Sequence, residues 1–156
     1  MGDLMQGELK SKIQGVRIIE LKQIADERGT LLHMVRSGSP FFTNFGEIYF
    51  SEVYPGIIKA WKRHRLMTQH FAVPIGRIHI VIYDDRLGYS SKGNIEELVL
   101  GRPDRYLLLQ VPPLLWYGFK GIAETPSILA NCADMPHNPE ESEQKDLWDN
   151  YIPYKW

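Results

Sequence analysis

An all-β fold, a sandwich or a barrel, is what this chain of 156 residues predicts. Three observations carry the expectation. Short runs rich in Val, Ile, Leu, Tyr and Phe recur along the chain, Gly, Pro, Asn and Asp punctuate them, and few stretches repeat with a helical period. Residues 1–14 form a polar arm of mixed charge. The first strand is expected over 16–21, and a turn of Asp26, Glu27, Arg28 and Gly29 leads to a second over 30–35. Strands at 45–54 and 57–63 follow, separated by Pro55 and Gly56, where the backbone turns. Runs at 72–75 and 78–83 flank a tight connection at Gly76 and Arg77, and residues 84–94 make a longer one. The set closes with 96–100, 106–111, 116–120 and 127–132, Pro112 and Pro113 ending the second of these. About ten short strands without helices between them favour a layered β architecture. Residues 136–156 are an acidic tail punctuated by proline, with Trp148, Tyr151, Tyr154 and Trp156, expected to lie extended over the body. No internal repeat or linker divides the chain, so one domain over 1–156 is expected.

Composition narrows the function classes. At 44% hydrophobic and 24% charged, the chain has the make-up of a globular domain. A formal charge of −1 argues against nucleic acid as a partner, because neutralising phosphates calls for a basic surface. The single cysteine, Cys132, excludes an internal disulfide and a cysteine-based zinc site. No apolar run approaches the ~18 residues of a membrane span. The polar start, MGDLMQGELKSK, does not read as a signal peptide, so a cytoplasmic location and no membrane partner are expected.

The most informative segment is 55–86. It offers Lys59, Lys62, Arg63, His64, Arg65, Gln69 and His70 between two apolar strands. Lysine is a mobile point charge and arginine a planar fork, so such a cluster suits an anionic, oxygen-rich ligand. The plainer alternative is a solvated basic loop, with lysines guarding a strand edge. Strict alternation places Ala60, Lys62 and His64 on one face and Lys59, Trp61 and Arg63 on the other, unless a bulge intervenes. His64 titrates near neutral pH and suits acid–base work. His79 alternates with Ile78 and Ile80 and should face away from the core, and His137 lies in a turn between prolines. Only His64 and His70 are closely spaced, with Glu47 a distant third ligand, so no metal site is expected.

Taken in order, the motifs resemble the dTDP-4-dehydrorhamnose 3,5-epimerase family. The turn at Asp26, Glu27, Arg28 and Gly29 matches its D-x-R-G. FGEIYFS at 45–51 sits where it has F-x-Q-x-N-x-S, and GIIKAWK at 56–62 overlies G-V-L-R-G-L-H. Residues 76–86 follow its G-E-V-x-D-V-x-V-D-x-R without a gap, Val111, Pro112, Gly118 and Phe119 bracket its I-P-x-G-F-A-H-G-F, and IPYKW at 152–156 resembles I-x-I-x-W. The resemblance implies a cupin-type jelly roll, no cofactor, and a homodimer whose sites are completed by a partner strand. It implies diphosphate contacts from Arg28 and Lys59, and further substrate contacts from His33, Glu47, Tyr49 and Gln69. Lys62 stands where the family has its base histidine, and Tyr117 where it has the histidine before G-F. The family's acid tyrosine falls at Ala130, and the aspartate that pairs with its histidine belongs to a C-terminal extension beyond Trp156.

The reading that follows is a nucleotide-sugar epimerase or isomerase. It removes a proton beside the ketone of a 4-keto-6-deoxy sugar, with Lys62, His64 and Tyr117 sharing proton transfer. The alternatives are a non-catalytic cupin that binds a sugar nucleotide or carbohydrate, and a 3,4-ketoisomerase.

Overall fold

Alternating apolar and polar positions along the strands give two antiparallel sheets, each with one face to bury. The computed structural model describes residues 4–156. Its strands are β1 (Glu8–Leu9), β2 (Arg17–Glu20), β3 (Gln23–Asp26), β4 (Gly29–Leu32), β5 (Glu47–Val53), β6 (Ile58–His64), β7 (Gln69–Ile75), β8 (Arg77–Tyr83), β9 (Ile95–Gly101), β10 (Leu107–Val111), β11 (Trp116–Gly121), β12 (Ser127–Ala133) and β13 (Ser142–Gln144). One sheet has the order β1-β2-β10-β7-β12-β5 and the other β13-β6-β11-β8-β9, while β3 and β4 form a separate hairpin. The result is the cupin-like sandwich that the sequence predicts, open at its edges rather than closed into a barrel.

The inner faces interdigitate. Ile78, Ile80 and Ile82 of β8, Leu98 and Leu100 of β9 and Phe119 of β11 meet Ile18, Phe71, Val73, Leu107, Leu109 and Leu129 of the other sheet. Each such side chain contributes about 1.5–3 kcal/mol on full burial. A second cluster lies on the outer face of the five-stranded sheet, where Trp61, Val81 and Trp116 pack against Ile152 of the tail. No described helix is long and apolar enough to cross a membrane.

Three differences from the sequence expectation matter for the site. Strand β7 begins at Gln69, three residues before the expected 72, so Gln69 and His70 are strand residues. The tail is not merely extended: a short 3-10 turn at Pro139–Glu141 leads into β13, which pairs antiparallel with β6. Strand β6 also carries a bulge. Its register against β11 runs Lys62 to Tyr117 and Ala60 to Gly118, so Trp61 is the extra residue.

Gly118 makes this pairing possible. A Cβ there would lie 2.5 Å from Ala60 Cβ and 2.9 Å from Trp156 Cζ2, and neither neighbour is the end of a flexible side chain. Replacing Gly118 with Ala should overpack the junction and destabilise the protein by about 1–3 kcal/mol, read as a lowered urea midpoint. An unchanged midpoint would show that β6, β11 and the tail are less tightly seated than this geometry requires.

Candidate active site

One end of the sandwich interior is polar. The bulge puts Lys59, Lys62 and His64 of β6 on its inner face together, because Lys59 pairs with Phe119 and Lys62 with Tyr117, both inward-facing. Strict alternation, which separates Lys59 from the other two, is therefore corrected by one extra residue. Lys59 and Lys62 border a cavity of about 340 Å³, and His64 lies behind it. Lys59, Lys62, Tyr117 and Phe119 supply its five-stranded wall and Tyr49, Ser51, Phe71, Leu129 and Asn131 its six-stranded wall, while Gln144 and Lys145 of the tail close one side. Three lysines and no carboxylate line it, which suits an anionic ligand. Lys59 Nζ donates to the Glu52 carbonyl at 2.7 Å, and Lys145 Nζ lies 4.0 Å from Asp149. Lys62 makes no ion pair among the described residues. The neighbouring cations are spent elsewhere: Arg63 bonds Glu143 and Asp85, and Arg65 bonds Glu143.

Behind the cavity runs a buried hydrogen-bonded chain. His64 is 3% exposed, and its Nδ1 is bonded to Glu141 Oε1. Glu141 Oε2 also accepts from the backbone N–H of Leu66 at 3.2 Å and of Met67 at 3.3 Å. A carboxylate facing Nδ1 fixes the neutral tautomer, with the proton on Nδ1 and the lone pair on Nε2. His64 Nε2 lies 3.3 Å from the Tyr117 hydroxyl, whose ring stacks on the imidazole at an interplanar angle of 12°. Gln69 Oε1 lies 3.2 Å from the same hydroxyl, so the single Tyr117 proton has two alternative acceptors, Gln69 Oε1 and His64 Nε2. Asn131 Nδ2 donates to the same Gln69 oxygen at 3.1 Å and to the Tyr49 hydroxyl at 2.8 Å.

Burial sets the protonation states. It pushes His64 below the ordinary histidine value of 6.5, against the opposing pull of Glu141. Burial pushes the Glu141 carboxyl upward, but His64 and the two backbone donors outweigh it and hold the group below its ordinary 4.5. Burial raises Tyr117 well above a normal phenol, and raises Tyr49 as well. At neutral pH the chain thus reads carboxylate, neutral imidazole, protonated phenol.

Not every residue singled out in the sequence meets here. Lys59, Lys62, Tyr117 and Tyr49 border the cavity, while His64 and Gln69 stand behind Tyr117. Arg28 sits on the exposed β3–β4 hairpin bonded to Asp26, away from the cavity lining. His33 and Glu47 are also outside the lining; the His33 carbonyl accepts from Tyr106 at 2.8 Å. His70 faces the other side of β7, between Phe41 and Phe42, with its Nδ1 donating to the Cys132 carbonyl at 2.8 Å. His79 points outward as expected, covered by Tyr154 and Trp156. Ala130 pairs with Phe50 and Ala72 and alternates with the inward Leu129 and Asn131, so that position offers the cavity nothing. Glu141 of the tail, which the sequence reading did not single out, supplies a carboxylate to His64. Nothing local in the sequence separates Glu141 from Glu140 or Glu143. Only the register of β13 on β6 does.

The depressed histidines give a pH signature. Below about 6.5 the unfolded chain takes up protons that buried His64 and His70 refuse, so their contribution to stability is full above that value and declines as pH falls. The urea midpoint should drop between pH 7.5 and pH 5.5, and His64→Gln should flatten that slope. A wild-type midpoint independent of pH over this range would contradict the neutral, buried imidazole.

Comparison with known proteins adds kinship. No family model matches the chain. The probable low-salt glycan biosynthesis epimerase of Haloferax volcanii is 35% identical over 144 residues, covering 91% of this chain and 88% of that protein. The spore coat polysaccharide biosynthesis protein SpsL of Bacillus subtilis is 30% identical over 146 residues, covering 92% and 96%. Among solved structures, a dTDP sugar isomerase from Desulfovibrio desulfuricans is 51% identical, with a TM-score of 0.91 over 93% of this chain and 92% of that one.

Proposed function

The chain belongs to the dTDP-4-dehydrorhamnose 3,5-epimerase-like cupin family of sugar-nucleotide epimerases and isomerases, and on that premise we propose that it inverts a carbon next to the ketone of a 4-keto-6-deoxy sugar carried on a nucleoside diphosphate. It is a nucleotide-sugar epimerase or isomerase, and the open matter is which groups do the work. The observation that carries the reading is the buried chain from Glu141 through His64 to the Tyr117 hydroxyl at the cavity wall.

That chain is a base assembled from parts. As the Tyr117 oxygen takes the proton from carbon, its own proton passes to His64 Nε2, and Glu141 meets the imidazolium that forms. A phenol raised by burial is a poor acid by itself and needs this acceptor. The C–H electron pair moves into the enolate, whose oxygen calls for a positive partner, and unpaired Lys62 supplies it. Lys62 therefore stabilises charge where the aligned histidine of the family acts as base. Lys59 and Lys145 hold the diphosphate.

Arg28 and His33 join the site from a second copy. Strand β5 is an edge strand, and its Ile48 and Phe50 are 50% and 63% exposed, with Phe45 just before it 60% exposed. The free β3–β4 hairpin carries exposed Leu31 next to Arg28. Pairing of copies along β5 would cover these side chains and bring one hairpin towards its neighbour's cavity. Light scattering should report a dimer, Phe50→Asp should shift it to monomer, and Arg28→Ala should raise KM for the sugar nucleotide about tenfold while leaving the dimer intact. A monomeric wild-type protein would remove this arrangement.

The activity is tested by incubating the protein with a panel of 4-keto-6-deoxy nucleotide sugars in D₂O and reading deuterium and configuration by NMR. Deuterium at an inverted C3 or C5 is the expected result. Carbonyl migration would make the protein a ketoisomerase, and tight binding without exchange would make it a binding module. The rate should fall as pH drops below 6.5, because protonated His64 no longer accepts. Glu141→Gln removes the group that favours the imidazolium, so this acid limb should move to still lower pH as the rate falls. A limb that stays in place would detach Glu141 from the chemistry.

A further inference from the structure

Inversion needs two protons moved on opposite faces of the sugar, and the assembly around His64 serves only one. We infer that Tyr49 is the acid that returns the second proton, from the face opposite Tyr117. This deepens the reading above and rests on it. The cavity lies between two sheets, so a sugar ring within it turns one face to each. Of the lining residues on the six-stranded wall, Phe71 and Leu129 carry no exchangeable side-chain proton. The Asn131 amide and the Ser51 hydroxyl do not titrate in water. Tyr49 alone on that wall carries a proton that a side chain can release and regain.

Hydrogen-bond polarity points the same way. The His70 backbone N–H can only donate, and it does so to Asn131 Oδ1 at 3.2 Å. That fixes the orientation of the Asn131 amide, leaving Nδ2 to donate to Gln69 Oε1 and to the Tyr49 hydroxyl. The Tyr49 oxygen is thus an acceptor from Asn131, and its own proton has no acceptor among the described residues. It is left to the cavity. Tyr117 is the opposite case, since its proton is engaged by Gln69 or His64. One phenol is arranged to give and the other to receive. Burial also raises Tyr49, which keeps it protonated at neutral pH.

In the step itself, the Tyr49 O–H bond breaks and its proton forms the new C–H bond on the six-stranded side. The enolate pair returns to the carbon and the ketone is restored. Asn131 Nδ2–H remains bonded to the phenolate oxygen. Tyr49, 36% exposed, regains a proton from water, while the assembly on the other wall releases the one it took.

The test is Tyr49→Phe in the full-length protein, followed in D₂O with a sugar nucleotide that the wild type inverts. Proton abstraction should persist within a few-fold, so recovered substrate gains deuterium with its configuration retained. Inverted product should fall about 10²–10⁴-fold. Inversion at the wild-type rate would overturn the assignment, and so would equal loss of exchange and inversion, the mark of a structural role. If that variant fails to fold or to bind dTDP, 3-fluorotyrosine at position 49 keeps the hydrogen bond and lowers the phenol pKa. The alkaline limb of the inversion rate must then move to lower pH, and an unmoved limb overturns the role. A wild type that exchanges no substrate proton overturns the proposed reaction, and Tyr49 with it. A wild type that exchanges and inverts beside an unimpaired Tyr49→Phe overturns only Tyr49.

Discussion

His64 and Glu141 lie 3% and 4% exposed in the same interior, and neither is tolerable there alone. A carboxylate stripped of water needs donors, and an imidazole beside it needs a reason to hold its proton on Nδ1. The tail answers both needs by adding β13 to the edge of the five-stranded sheet. Arg65 N donates to the Glu141 carbonyl at 2.8 Å, and Trp61 and Lys145 exchange backbone bonds at 3.1 and 3.0 Å. Arg63 and Arg65 grip Glu143 on the outer side, while Trp156 packs on Trp61. The tail is thus a structural strand and a wall of the site at once. Release of residues 139–145 would expose the His64 imidazole, take the Glu141 carboxylate away from it and open the cavity in one event.

The bulge at Trp61 is the second constraint, and it works through parity. A strand of strict alternation cannot put residues 59, 62 and 64 on one face. One extra residue does so, and it turns Trp61 outward to meet Trp116, Ile152 and the tail. The same irregularity therefore gathers the cations inside and builds the apolar seat for the tail outside. Gly118 opposite Ala60 leaves the room that this crossing requires.

From these constraints comes a division of labour between the sheets. The five-stranded wall holds a phenol and two ammonium groups, backed by an imidazole and a carboxylate, the groups proposed to take a proton and stabilise an enolate. The six-stranded wall holds amides in fixed orientation and one phenol whose proton is uncommitted. A pair of sheets with different chemistry suits a reaction that must treat the two faces of a ring differently.

Much of this fold was legible in the chain. Alternation and turn residues mark most of the sandwich strands, and the ordered motifs at 26–29, 45–51, 56–62 and 76–86 point to the family. The short strands β1, β3 and β13 leave no such mark, because two to four residues are too few for a periodicity. The site was legible only in part. Lys59, Lys62, His64 and Tyr117 are conspicuous as polar residues on apolar strands, and local pattern suffices to find them. Glu141 is one acidic residue among several, and Tyr49 one aromatic among many. By itself the sequence determined the β architecture, the kinship and the basic strand, since all three are written in local order. Which glutamate meets the histidine, which lysines share a face and which phenol keeps a free proton were decided by the tertiary structure. Strand register, a single bulge and the direction of each hydrogen bond exist only once distant segments pair.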